Sequence, residues 1–302
     1  MKLLLTFLTL LVATNTFAQY IFPEKELCEE LKKRTLAVQL INEKSDLDKN
    51  TNNTLKEVFN ENWDLTPIEF VTPAESKRIL KEKDTKYVVL TQKDEVANDE
   101  RTEWRDSKGN FSPSKEVVFT FAYYGFDLKM PTEKKAKIIT SVGMANGDLS
   151  RIDYLFLTQQ LNKLIKNSLA ETPMNEFYNV DRNIEKCQNY TLVILKDFIK
   201  EKEIDKISEL YPHNYELVDF KTYEDIVLNK TPKKGYIKII WSNQIKMYEW
   251  IVIDAQNGDI LSQMSFGGIK FGSSHKANEI INVKHLKHIL NKTGQKMNNR
   301  YK

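Results

Sequence analysis

The sequence lacks the short motifs that most often identify an enzyme. There is no HExxH, no GxSxG, no complete P-loop and no CxxC. These absences exclude the common zinc proteases, serine enzymes of the α/β-hydrolase type, P-loop NTPases and thioredoxin-like proteins. Residues 267–273 (GGIKFGS) come nearest to a P-loop, but Ser273 stands where the phosphate-binding lysine is required. We therefore interpret this glycine-rich stretch as a hinge.

Cysteine is scarce, with only Cys28 and Cys187 in 302 residues. Each precedes the first strand of one of the two repeats described below, so the thiols would meet if the repeats lie side by side. In an oxidising compartment they could then form a disulfide. The alternative is two unpaired, buried thiols, and the sequence leaves both open because it does not give the separation of the two Cα atoms.

Long hydrophobic runs are also scarce. The run at residues 3–13 covers 11 positions, whereas a membrane span needs roughly 20 apolar residues. It follows Lys2 and precedes the small-x-small site Thr16-Phe17-Ala18, which predicts a secretory signal peptide over residues 1–18. No later segment approaches spanning length. We expect a soluble mature chain from Gln19 in the periplasm or the extracellular space.

Overall charge is nearly balanced, since 45 Lys and Arg face 42 Asp and Glu, and this balance implies nothing about partners. The basic residues concentrate in a tail. Residues 270–302 carry eight Lys or Arg and one acid, Glu279, a net charge of 8 − 1 = +7.

This tail is predicted to contain an amphipathic helix over residues 276–291, with an apolar stripe and with Lys284 and Lys287 on other faces. Such a helix could dock on anionic lipid, lipopolysaccharide or nucleic acid, so Lys284 and Lys287 are candidate contact residues for a partner, which would be an envelope protein or a small ligand. Alternatively, the stripe packs on the acidic body of the same protein. A nucleic-acid partner fits poorly with secretion.

Three histidines, His275, His285 and His288, also lie in the tail, close to Glu279. His285 and His288 are three residues apart and would share a helix face, so they could hold Zn²⁺ if a third ligand joined them. No ligand spacing here matches a known zinc site. The alternative is three solvated histidines on a basic helix.

The centre of the chain is a predicted helix at residues 149–169 (LSRIDYLFLTQQLNKLIKNSL), with apolar residues at helical spacing and no Gly or Pro. One α/β pattern precedes it and a second follows it. The predicted fold class is therefore α/β (mixed α+β). It consists of two tandem β-α-β-α-β-β-β repeats with mixed sheets, joined by this central amphipathic helix.

A near-constant offset supports the repeats. The pairs Glu69 and Glu216, Ile79 and Ile226, and Tyr87 and Tyr236 are 147, 147 and 149 residues apart. The alternative is two unrelated α/β patterns. The predicted organisation is a signal peptide (residues 1–18), a lead-in (19–34), a first repeat (35–148), a central helix with its connector (149–186), a second repeat (187–269) and a basic tail (270–302).

Glu69 and Glu216 occupy matching places in matching strands. Two carboxylates that converge in one cleft can act as general acid and base, which would make the protein a hydrolase or transferase with a site between the repeats. The alternative is that both face water, as polar positions of an alternating strand usually do.

Residues 92–114 are highly charged, which predicts a long solvated hairpin loop. Trp104 lies within this loop, whereas the periodicity around Trp63 and Trp250 predicts that those two belong to the core. Because tryptophan often lies at binding surfaces, Trp104 is a second candidate partner-contact residue.

The stretches ENWDLTPIEFVTPAE (residues 61–75) and LTQQLNKLI (residues 157–165) resemble an uncharacterised group of exported envelope proteins from Bacteroidetes-type bacteria. That group shares an aromatic W-x-x-T-x-x-E-F stretch and a central helix containing QQLN. The resemblance covers most of the mature chain. It implies a cell-envelope location and one continuous unit, and it implies no activity.

These observations predict an exported soluble protein of the cell envelope, a non-enzymatic binding or accessory module of unknown ligand. Its partner surface would include Trp104, Lys284 and Lys287. The alternative is the hydrolase or transferase described above. We expect no catalytic residue, no metal, no cofactor, no nucleic-acid partner and no transmembrane segment.

Overall fold

A computed structural model of the chain describes residues 22–101, 104–105, 111–112, 117–145, 149–242, 247–265, 281 and 283–290. Between residues 94 and 123 the description covers the backbone only. The predicted signal peptide at residues 1–18 and the predicted hinge at residues 267–273 lie outside it. The described residues form a mixed α/β fold with two five-stranded sheets.

The first sheet has the strand order β2-β1-β3-β6-β7. Its strands are β1 (Thr35–Gln39), β2 (Ile68–Val71), β3 (Tyr87–Arg101), β6 (Val117–Met130) and β7 (Lys137–Met144). β1 pairs in parallel with β2 and β3, whereas β3, β6 and β7 pair antiparallel. Helices connect the parallel strands, because a parallel pair needs a crossover connection.

Three helices accompany this sheet, namely α1 (Lys25–Leu31), α2 (Asp46–Asn62) and α3 (Pro73–Glu82). The Ser45 side chain caps α2. Thr72 caps α3 by accepting a hydrogen bond from the amide of Glu75, and Pro73 occupies the first turn, as the sequence Thr-Pro-Ala-Glu predicts. α3 covers one face of the sheet through Ile79, and α1 and α2 cover the other face.

Helix α4 (Arg151–Leu169) leads to the second sheet, which has the order β12-β11-β10-β8-β9. This is the order of the first sheet read from the opposite edge. Its strands are β8 (Thr191–Leu195), β9 (Tyr215–Val218), β10 (Lys234–Ser242), β11 (Met247–Asp254) and β12 (Ile260–Ser265). Its helical segments are α5 (Met174–Phe177), α6 (Val180–Asn189), α7 (Ile207–Leu210), α8 (Phe220–Leu228) and 3₁₀ turns at Lys196–Phe198 and Glu201–Lys206. Pairing directions match those of the first sheet.

The backbone register relates the two sheets position by position. Thr35 lies opposite Tyr87 in the first sheet, and Thr191 lies opposite Lys234 in the second. The third strands are therefore 234 − 87 = 147 residues apart, the same offset that relates β2 to β9. The predicted match of Tyr87 with Tyr236 is wrong by two residues, since it followed residue identity rather than strand pairing.

An irregularity is also shared by the two sheets. The pairing register shifts immediately before Lys129 in β6 and immediately before Ile253 in β11. These positions are equivalent, because Lys129 faces Val89 of β3 and Ile253 faces Tyr236 of β10. The two halves therefore have the same topology, including the place of the bulge.

Helix α4 lies between the two sheets, which confirms the predicted central helix. Eleven of its 19 residues are buried, too many for a single apolar stripe, so the helix is covered on most sides rather than amphipathic. Ser150 and Asp153 form a capping box at its start. The cluster around it joins strands of both sheets, for example Leu36 of β1 and Val193 of β8. One hydrophobic core therefore connects the halves.

The predicted loop at residues 92–114 is replaced in large part by a β-hairpin. β3 and β6 remain paired from Val89 and Lys129 to Arg101 and Val117. The short strands β4 (Trp104–Arg105) and β5 (Phe111–Ser112) pair further out. The prediction was wrong because the charged β3 segment pairs with a β6 segment that is rich in β-branched and aromatic residues and therefore favours a strand.

The outer part of this hairpin extends beyond its neighbours. β1 pairs with β3 only as far as Leu90, and β7 pairs with β6 only from Tyr124 onwards. Residues 95–101 and 117–123 therefore form a two-stranded ribbon, which we call the arm. At about 3.3 Å per residue it is roughly 20 Å long.

Candidate functional site

Glu69 lies on β2, the edge strand of the first sheet, and its side chain is exposed. Tyr87 Oη donates to Glu69 Oε2 at 2.7 Å, and Lys86 Nζ lies 3.4 Å from Glu69 Oε1. Lys86 Nζ also lies 3.0 Å from Tyr87 Oη. The carboxylate is thus held by its own half of the protein.

Glu216 lies on β9, the edge strand of the second sheet. Lys234 Nζ donates to Glu216 Oε2 at 2.8 Å, and Lys234 is the register equivalent of Tyr87. The two predicted glutamates therefore form equivalent but separate contacts on two different sheets. These contacts do not bring the carboxylates into one cleft, so the geometry gives no support to the acid–base alternative.

Both cysteines are free and buried. Cys28 of α1 belongs to the core shared by the two sheets, whereas Cys187 of α6 belongs to a second cluster on the far side of the second sheet. The two sulfurs are therefore not bonded to each other. Burial raises the pKa of Cys28, and burial together with the nearby Asp254 raises the pKa of Cys187 to about 12. Raised pKa values disfavour the reactive thiolate.

The predicted tail helix at residues 276–291 is described at residue 281 and residues 283–290, where it forms a 3₁₀ helix, Val283–His288, rather than a long α-helix. The Ile281 amide donates to the carbonyl of Phe198 at 2.6 Å, and the Ser262 hydroxyl donates to the carbonyl of Ile289 at 3.2 Å. The apolar side chains of this segment are buried, namely Ile281, Val283, Leu286 and Ile289. The tail therefore packs on its own protein, while Lys284 and Lys287 are exposed.

The tail segment takes the place that α4 occupies in the first half. α4 packs against α1 and α2, and the tail packs against the 3₁₀ turn Glu201–Lys206 and α7. In the first half, α1 precedes β1 and α2 connects β1 to β2. In the second half, the 3₁₀ turn and α7 both lie between β8 and β9. Because the tail completes the second cluster, its apolar side is structural, and only its polar side is available to a partner.

The tail histidines form no described metal site. The ring centroids of His285 and His288 are 6.2 Å apart, and His275 and Glu279 lie outside the described residues. Among the residues that the structure describes, no group of three or more His, Cys, Asp or Glu is placed to hold a metal ion. Burial, His288 and Lys287 lower the pKa of His285.

Trp104 lies in β4, where its backbone pairs with Ser112 of β5. Its side chain is outside the description, and its backbone places it beyond the end of the arm. Trp63 and Trp250 are 7% and 1% exposed, which confirms that both belong to the core. The one tryptophan predicted to lie apart from the core is thus on the projecting hairpin.

A charged cluster that the sequence did not predict lies where the β11–β12 turn meets α4 and α6. We call it the turn cluster, and it consists of Lys163, Lys186, Tyr190, Asp254 and Asp259. Lys186 Nζ lies 3.1 Å from Asp259 Oδ2 and 3.3 Å from Asp254 Oδ2. Lys163 Nζ contacts Asp259 Oδ1, and Tyr190 Oη donates to Asp254 Oδ2 at 3.3 Å. Each carboxylate is thus engaged by a lysine.

Hydrogen bonds to the backbone reinforce this contact. Gln160 Nε2 donates to the carbonyl of Gly258 at 2.8 Å, and Asn183 Nδ2 donates to the carbonyl of Ile260 at 3.0 Å. Gly258 has a φ of 76°, a left-handed conformation that favours glycine. A Cβ at this position would lie 2.4 Å from Gln159 Oε1. The turn therefore fits closely against α4.

The electrostatics of the turn cluster favour a structural role. Burial lowers the pKa of Lys163, and Asp259 offsets part of this shift. Burial alone would raise the pKa of Asp259, but Lys163 and Lys186 outweigh it and lower the pKa. The Asn-Gly turn is visible in the sequence, whereas its lysine partners come from helices distant along the chain, and no local pattern marks them.

The described residues thus offer internal ion pairs, buried thiols and a projecting arm. None of the described helices is long and apolar enough to cross a bilayer. Comparisons of the chain with protein-family models, with curated proteins and with solved structures found no match.

Proposed function

We propose that this chain is an exported protein of the cell envelope that acts as a binding or accessory module without catalytic activity of its own. The pattern of residues 1–18 supports export. The resemblance of residues 61–75 and 157–165 to exported envelope proteins supports the same location. The glutamates that an enzyme would need in one cleft are each engaged within their own half, which favours binding over catalysis.

We further propose that the two halves are copies of one unit. Three features support this duplication, namely the common strand order, the shared bulge, and the offset of 147 residues that relates both β2 to β9 and β3 to β10. Such a body would support the arm, which has no counterpart of equal length among the described residues of the second half.

The arm is the element we assign to partner binding, and its free backbone edges carry the proposal. Beyond Leu90 in β3, and before Tyr124 in β6, the two strands pair only with each other among the described residues. An edge of this kind exposes N–H and C=O groups, to which an extended segment can add as a further strand. Trp104 near its end adds an aromatic anchor of the type common in binding surfaces.

An arm-shortened variant tests this function. Asp94 and Tyr124 face each other in the ladder, so residues 95–123 are replaced by Asn-Gly, which forms a tight two-residue hairpin turn. The mature chain from Gln19 and the variant are each incubated with cross-linked envelope extract, and bound proteins are identified by mass spectrometry. We expect a stoichiometric partner with the full chain, its loss with the variant, and unchanged unfolding midpoints.

Two point variants sharpen the test. Trp104→Ala should weaken capture if the end of the hairpin contacts the partner, and a double Lys284→Glu, Lys287→Glu variant should weaken it if the polar side of the tail does. Truncation of the whole tail at Ile269 would not test its polar side cleanly, because it also removes the buried Ile281, Val283 and Leu286. Equal capture by the full chain and the arm-shortened variant would refute the role of the arm.

A further inference from the structure

The two edges of the arm differ sharply in composition. The β3 segment, residues 95–101 (EVANDER), contains four charged residues among seven. The facing β6 segment, residues 117–123 (VVFTFAY), contains no charged residue, no proline and no glycine. Both segments are paired with each other along their whole length, so each has one edge left.

Proteins usually protect a free strand edge with charges, proline, bulges or a covering element. The β3 edge follows this rule. The β6 edge does not, because an uncharged run of β-branched and aromatic residues has high β-propensity and pairs readily with another strand. β7 covers β6 only from Tyr124 onwards, so within the described part of the chain the β6 edge of the arm has no strand beside it.

We propose that this β6 edge pairs antiparallel with the same edge of a second copy of the chain, giving a four-stranded β3-β6-β6-β3 sheet across a twofold axis. This inference rests on the proposed function of the arm as the interacting element, and it names a second copy as one of its partners. An isologous contact of this kind closes after two subunits. It leaves both β3 edges and the hairpin ends free for a different partner.

Self-pairing is favoured at β6 because two antiparallel copies of this segment can pair without bringing charged residues together. A twofold axis at Thr120, the central residue of 117–123, brings Phe119 opposite Phe121 of the partner subunit, and no charged residue meets another. At the β3 edge the same operation centres on Asn98 and pairs Glu95 with Arg101, Val96 with Glu100 and Ala97 with Asp99. This edge is the weaker template, because it consists mainly of residues of low β-propensity and carries the charges that protect a free strand edge.

The proposal is tested by the oligomeric state of the purified mature chain, Gln19–Lys302, measured by sedimentation velocity over a concentration series. Seven residue pairs bury less than the roughly 1,600 Å² of a standard interface, so we expect a reversible dimer that dissociates on dilution. Thr120→Lys places two like charges at the axis and should convert the protein to a monomer. The arm-shortened variant should also be monomeric.

Asn98→Lys is the matched control. Asn98 faces Thr120 in the ladder, so this variant adds the same charge to the same part of the arm but on the opposite strand, and it should remain dimeric. A wild-type chain that is monomeric at all concentrations overturns the proposal. So does a dimer that survives both Thr120→Lys and shortening of the arm, or one that both lysine variants dissociate equally.

The experiment also separates this inference from the proposed function. A monomeric wild-type chain that still captures an envelope partner through its arm refutes only the pairing of two copies. A dimer that captures no partner refutes only the binding of another envelope protein.

Discussion

Lys238 of β10 forms a largely buried ion pair with Asp153 in the first turn of α4. The same carboxylate accepts hydrogen bonds from the amide and the hydroxyl of Ser150, at 2.7 Å and 2.6 Å. Burial by itself would raise the pKa of Asp153, but Lys238 and Ser150 outweigh it and lower the pKa. One side chain therefore both caps the central helix and joins it to the second sheet.

Removal of the lysine should destabilise the protein markedly. Lys238→Met leaves the Asp153 carboxylate without its cation, and breaking a buried pair in this way typically costs about 3–5 kcal/mol. We expect about 3 kcal/mol, since Asp153 keeps its contacts with Ser150. Urea unfolding measures the loss. Arg78→Met, which removes two exposed ion pairs of α3, should have little effect, and an equal effect of both variants would refute the structural role of Lys238.

Gly143 should be sensitive to substitution because β7 and β10 approach closely there. A Cβ on Gly143 would lie 1.9 Å from the carbonyl oxygen of Trp241, and backbone atoms cannot move aside as a side chain can. Gly143→Ala should cost stability at the upper end of the roughly 1–3 kcal/mol typical of overpacking. Gly235→Ala, where the nearest atom is Val252 Cγ1 at 3.1 Å, is the control. It should be clearly milder in the same unfolding measurement.

The tail should contribute to stability through its apolar side. Leu286 is fully buried, so Leu286→Ala should lower the free energy of unfolding by about 2 kcal/mol, the low end of the usual range for core leucines. Lys287→Ala, at the exposed neighbouring position, should change it little. If the two substitutions have the same effect, the packing of the tail on the second sheet is not as described.

Stability should fall in mildly acidic solution through His285. Its pKa is lowered in the folded state by burial, His288 and Lys287, so the unfolded chain binds the proton more tightly. The contribution of His285 to stability is then fully present above the unfolded-state pKa of about 6.5, and it is lost as the pH falls through the folded-state pKa. Urea unfolding between pH 7.5 and pH 5 should show this loss. The slope should be smaller in His285→Gln, and an identical slope would assign the effect to other groups.

Both thiols should be protected in the folded protein. With a pKa of about 12, Cys187 is a thiolate to only about one part in 10⁴ at pH 8, and Cys28 is equally buried. A chromogenic disulfide reagent should react slowly with the native protein and should release two equivalents at once in denaturant. Failure to titrate any thiol after unfolding without reductant would show that Cys28 and Cys187 are bonded.

Local patterns were sufficient to predict the elements that local forces determine. The cap at Thr72, the buried strand β1 and the length of α4 all follow from spacing and capping in the sequence. The common element order of the two halves was also predictable. The register at Tyr87 was not, because strand pairing is decided by contacts with β1, and a one- or two-residue slip leaves no trace in a single strand.

The remaining features depend on contacts between distant segments. The charged stretch after Thr91 resembles a loop when read alone and becomes a strand only because β6 offers it a partner. Lys163 and Lys186 look like ordinary surface lysines of two helices, and only the fold brings them to Asp254 and Asp259. The tail was predicted as an α-helix from its stripe, but its described residues Val283–His288 form a 3₁₀ helix that packs on the 3₁₀ turn Glu201–Lys206 and α7.

The position of the tail also makes the second half depend on the last described residues of the chain. The second cluster begins with strand residues such as Leu192 and is closed by Ile289, 289 − 192 = 97 residues later. Until that part of the chain is in place, the second sheet has one apolar face without its last covering element. A second half that lacks its tail therefore exposes a surface that the complete protein conceals.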